Sequence, residues 1–92
     1  MTLYLLSYDV RATNHSYQPL YDQLADWDAA HLQNSVWLAN LNGTAAAVRD
    51  AMRAHMHADD TVCVIQLSDG ADWATVHARK VGVDWLKANL GS

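Results

Sequence analysis

An α+β domain is predicted by three features of the sequence. Residues 2–10 and 61–67 are rich in aliphatic and β-branched side chains, the mark of central strands covered on both faces. Two other stretches repeat apolar residues three and four apart, as amphipathic helices do. At 92 residues, 51% of them apolar and four of them tryptophan, the chain has material for one core and is too short for two. No repeat or low-complexity linker divides it, so residues 1–92 are read as a single domain.

In the first strand, residues 2–10, Tyr4, Leu6, Tyr8 and Val10 share one face while Leu3, Leu5, Ser7 and Asp9 share the other. Asp9 thus falls at its carboxyl end. A polar connection follows, in which Ser16 suits a helix cap and Pro19 a first turn. Tyr17, Leu20, Tyr21, Leu24 and Trp27 then predict a helix over 17–28. Residues 32–41 alternate and end at Asn42-Gly43, which predicts a strand and a turn. Thr44 caps a second helix running to about 57, with Ala45, Val48, Met52 and Met56 inward and Arg49, Asp50 and Arg53 outward. After the strand at 61–67 and the turn Ser68-Asp69-Gly70, residues 73–77 are a weaker strand candidate. A short terminal helix opens at Val83-Asp84 and stops at Gly91.

The order is β-α-β-β-α-β or close to it, a ferredoxin-like α+β sandwich with a short C-terminal helix. Right-handed crossovers put both interior helices on one sheet face. The opposite face, expected to carry Leu3, Leu5, Ser35 and Trp37, then lacks a cover, and a homodimer is the simplest remedy.

Six lysines and arginines stand against ten acids, all aspartate, for a net charge of −4. Counterion release from phosphates favours cationic proteins, so strong duplex binding is disfavoured. The candidate phosphate contacts are Arg49 and Arg53, four apart on one helix face, with Arg79 and Lys80 further on. The one cysteine, Cys63, excludes a disulfide framework and a cysteine-based zinc site. The chain lacks a signal-peptide pattern and an 18-residue apolar run, which predicts a cytoplasmic protein outside the membrane.

Ser7-Tyr8-Asp9 closing the first strand, Ser35-Val36-Trp37 in the second and Trp85-Leu86-Lys87 near the end resemble a known group. The chain looks like the CRISPR adaptation protein Cas2 and its VapD-like ribonuclease relatives, and more closely like the small bacterial proteins labelled SinR family. That resemblance implies a ferredoxin-like dimer in which the aspartate matching Asp9 lies near the two-fold axis. It further implies that two Asp9 carboxylates share Mg²⁺ or Mn²⁺, a hard cation with oxygen ligands, for phosphodiester cleavage of RNA or DNA. Asp9 is accordingly the candidate catalytic and metal residue.

Other readings of the same residues stay open. Asp9 also suits accepting hydrogen bonds from the Thr13-Asn14 amides. Arg11 and His15 offer a phosphate clamp and a general acid, or are solvated loop side chains. His55 and His57 with Asp59 and Asp60 offer a loose hydrated cation site, or complement a helix carboxyl end. Tyr8, Tyr17, Tyr21, Trp27, Trp37 and Trp73 suit core and dimer packing better than base stacking, because no RNA-recognition run accompanies them. Beside the nucleic-acid role stand a protein-interaction module, as in a toxin–antitoxin or defence partner, and a small-molecule sensor.

Overall fold

A computed structural model describes residues 1–11 and 15–91. Its elements are β1 (Thr2–Asp9), α1 (Gln18–Asp26), β2 (Ala30–Gln33), β3 (Val36–Leu41), α2 (Ala45–Arg53), β4 (Thr61–Leu67) and α3 (Lys80–Leu90). The strands form one antiparallel sheet in the order β2-β3-β1-β4, which is the ferredoxin-like order. The aliphatic run of β1 places it centrally, between β3 and β4.

The parity read from β1 holds. Tyr4, Leu6 and Tyr8 pack with Leu20 and Leu24 of α1 and Val48 and Met52 of α2. The helices end where local chemistry stops them. Thr44 Oγ1 accepts the Ala47 amide at 3.1 Å and opens α2. Asp28 takes φ 54°, so α1 closes with the Asp28 and Ala29 amides bonded back to Ala25 and Leu24, two residues short of the expected end.

Four expectations are corrected. Residues 32–41 do not form one strand: the chain reverses at Asn34-Ser35 into the β2–β3 hairpin, with Ser35 at φ 61° and a register shift between His31 and Gln33. Trp37 pairs in register with Leu6 and lies on the α1/α2 face, so it is absent from the face expected to be open. Residues 73–77 are not a strand but part of an irregular strap, tied down by the Trp73 indole donating to the Gly91 carbonyl at 2.8 Å.

The opposite face is also not bare. Leu86 and Leu90 of α3 pack with Ala30, Leu32 and Leu38, and the strap adds Ala71 and Trp73 beside Leu5 and Leu67. Gly82 permits this approach, because a Cβ there would sit 2.6 Å from the Leu32 Cα. What stays open is a strip over β1 and β4 holding Ser7, Asp9, Cys63 and Ile65, the last of them 51% exposed. Among the described residues, no helix is long and apolar enough to cross a membrane.

Candidate functional site

The carboxyl end of β1, the amino end of β4 and the β2–β3 turn all lie at one end of the sheet. Asp9 stands there in register with Thr61, its side chain 69% exposed on the open strip, with the Arg11 guanidinium 3.7 Å from Oδ2. The Thr13-Asn14 amides, its alternative partners, lie outside the described residues. Arg11 is equally exposed, so this pair is a weak surface attraction and leaves both groups available to a ligand.

Asp60 organises the neighbouring loops. Its carboxylate accepts the Arg11 amide at 2.7 Å, the His57 amide at 2.9 Å and the Tyr17 hydroxyl, tying the β1–α1 connection to the α2–β4 turn. His15 is drawn into the same cluster. Its Nε2 lies 3.2 Å from the His55 carbonyl, and its ring meets Tyr17 edge-on at 4.7 Å. A carbonyl oxygen only accepts, so Nε2 is the donor in this contact. The His55 carbonyl and the Tyr17 ring thereby fix the orientation of the His15 imidazole.

The remaining cationic candidates separate. Arg49 is paired at 2.9 Å with its neighbour Asp50 on the outer side of α2, and Arg53 follows one turn later, nearer the Asp9 end but across the sheet from the open strip. His57 Nδ1 accepts the Asp59 amide at 3.2 Å, and His55 contributes its carbonyl. Among the described residues, no group of three or more histidine, cysteine, aspartate or glutamate side chains is placed to hold a metal ion.

On the α1/α2 face of the same end, His31 stacks on Trp37 with ring centroids 4.0 Å apart and planes 2° from parallel. Burial lowers the His31 pKa, and the nearby Arg79 charge lowers it further against a backbone hydrogen bond at Gln33. The Trp37 indole donates to the Tyr8 hydroxyl at 3.2 Å. Burial raises the Tyr8 pKa, opposed by that bond and reinforced by Tyr21. Neither the His31–Trp37 stack nor the Asp60 hub was legible in spacing, since Asp60 bonds residues 43 and 49 positions away.

No solved structure matches the chain at a significant level. A family model does: that of CRISPR associated protein Cas2 matches residues 1–74, from the first strand through β4 into the strap. With four-fifths of its length so matched, and with the four-stranded sheet and interior helices lying within the match, the chain belongs to the CRISPR-associated protein Cas2 family.

Proposed function

We propose that the chain works as a homodimer that holds nucleic acid in CRISPR-associated defence, with paired Asp9 carboxylates as its divalent-cation site. The observation carrying this reading is the position of Asp9: exposed, at the end of the central strand, on the strip that α3 leaves open. A second copy laid on that strip would cover Ile65 and Cys63 and bring two carboxylates together. Oxygen donors of this kind suit Mg²⁺ or Mn²⁺. A cation bound there would supply Lewis-acid polarisation of a phosphate and a water of lowered pKa. Arg11 would hold a phosphate oxygen, and His15 Nδ1 would accept a proton within the loop cluster. The Trp85-Leu86-Lys87 ending and the two Ser-containing motifs favour the SinR-labelled branch as the nearer relatives.

Binding without efficient cleavage is the form we favour, because the net charge of −4 weakens the hold on phosphates. The test incubates wild type and Asp9→Ala with single- and double-stranded RNA and DNA, in Mg²⁺, Mn²⁺ and EDTA, beside sedimentation of both proteins. A salt-sensitive shift with a dimeric wild type is expected. Cleavage surviving Asp9→Ala would remove Asp9 as ligand, and a monomer at every concentration would end the paired-carboxylate reading. The exposed β4 edge with Ile65 favours a second reading, a protein partner docked by strand addition, which a pull-down sensitive to Ile65→Lys would support.

A further inference from the structure

The nucleic-acid reading leaves one feature of this end unused. Between α1 and the β2–β3 hairpin lies an open cleft of about 430 Å³. Tyr8, Tyr21, His31, Asn34, Ser35 and Trp37 line it. Its composition differs from that of the core. Tyr21 projects from α1 with 43% of its surface exposed. The flat His31–Trp37 pair presents a second aromatic surface, and the two phenols are close enough for Tyr21 to act on the Tyr8 hydroxyl.

Polar groups are placed around these rings. The Asn34 amide oxygen accepts from Arg79 at 3.4 Å, a long contact that leaves the amide nitrogen and most of the guanidinium unspent. Ser35 is held at φ 61°, a conformation a serine adopts at a cost, and its carbonyl is anchored by the Tyr8 amide at 3.1 Å. Nε2 of His31 is buried, with no hydrogen-bond partner among the described residues. A buried ring nitrogen left unpaired costs stability unless something entering the cleft satisfies it.

Aromatic faces, an amide with free donors and a cation at the rim are together the chemistry that recognises a nucleobase and its phosphate. We propose that this cleft binds one unpaired nucleotide, its base stacked on Tyr21 and the His31–Trp37 wall, its edge read by Asn34 and its phosphate held by Arg79. This rests on the nucleic-acid role proposed above but uses none of the Asp9 residues, so the two can fail separately.

The experiment titrates ¹⁵N-labelled full chain with mononucleotides at millimolar concentration, then with a short single-stranded oligonucleotide and its duplex. The Trp37 indole and Asn34 amide signals are followed. Expected are shifts of both signals with mononucleotide and single strand, larger than those with duplex. In Tyr21→Ala, an exposed helix position where alanine is well tolerated, affinity falls between about 5-fold and about 150-fold, the range for loss of one base–aromatic stack. Tighter binding of the oligonucleotide than of the mononucleotide assigns the site to a strand, and equal binding assigns it to a free nucleotide. Unmoved Trp37 and Asn34 signals overturn the proposal, even where the duplex binds elsewhere. So does an affinity that Tyr21→Ala and Arg79→Gln leave unchanged.

Discussion

Replacing Asp60 with alanine should destabilise the protein more than any other surface aspartate does. Its carboxylate receives the Arg11 amide, the His57 amide and the Tyr17 hydroxyl, and the first two contacts are 2.7 and 2.9 Å long. Hydrogen bonds to a charged acceptor are worth about 1.5–3 kcal/mol each. The three are not additive, and Asp60 is only half-buried, so water partly replaces it. The expected loss is about 2–4 kcal/mol, against a total of about 5–14 kcal/mol for a domain of this size. At about 4–8 °C per kcal/mol for such a chain, Tm should fall by about 8–32 °C. Asp59→Ala is the control, since that side chain is 81% exposed, and it should lie within about 0.5 kcal/mol of wild type. Urea unfolding of both variants decides the matter. Equal midpoints for Asp60→Ala and Asp59→Ala would refute the claim that Asp60 holds the two loops together.

Further outcomes concern the two sheet faces. Alanine usually stabilises an exposed helix position relative to glycine, but Gly82→Ala would set a Cβ 2.6 Å from the Leu32 Cα and 3.0 Å from the His31 carbonyl. We expect a loss of about 1–3 kcal/mol, read from the urea midpoint, and a gain would show that α3 is free to lift. His31 is the group for which a pH effect is expected. Its folded pKa lies below the ordinary 6.5, so the unfolded chain binds the proton more readily. Its contribution is therefore fully present above pH 6.5 and is lost as pH falls below that value through the folded pKa. His31→Gln should flatten the stability profile over that window, and an unchanged acid slope would assign it to other groups.

What the sequence disclosed follows the range of the forces involved. Local signals survived intact: the Thr44 cap, Pro19 in the first turn of α1, Gly91 after α3, and the alternation of β1 are each set by residues within a few positions. The hairpin was hidden because Ser35 occupies a left-handed position that glycine or asparagine usually marks, so residues 32–41 looked continuous. Residues 73–77 alternate in hydropathy as a strand does, yet they pair with no strand of the sheet, and Trp73 instead packs across the face toward α3. Asp9 was legible as a strand-end carboxylate, and its neighbours Arg11 and His15 were legible by adjacency. Their arrangement was not, because it depends on Asp60, Tyr17 and His55 from distant parts of the chain.

The cover supplied by α3 changes what a dimer of this chain requires. A wholly bare sheet face would demand a partner for stability alone, whatever the function. Here Leu32, Leu38, Leu86 and Leu90 satisfy one another within a single chain, so the hydrophobic need is already met over β2 and β3. A second copy has only the strip over β1 and β4 to gain, where Ile65 and Cys63 contribute apolar area and Asp9 contributes charge. Two carboxylates brought together oppose association until a cation bridges them. The proposed dimer should therefore tighten when Mg²⁺ or Mn²⁺ is added and loosen in EDTA, and Asp9→Asn should make its assembly insensitive to either.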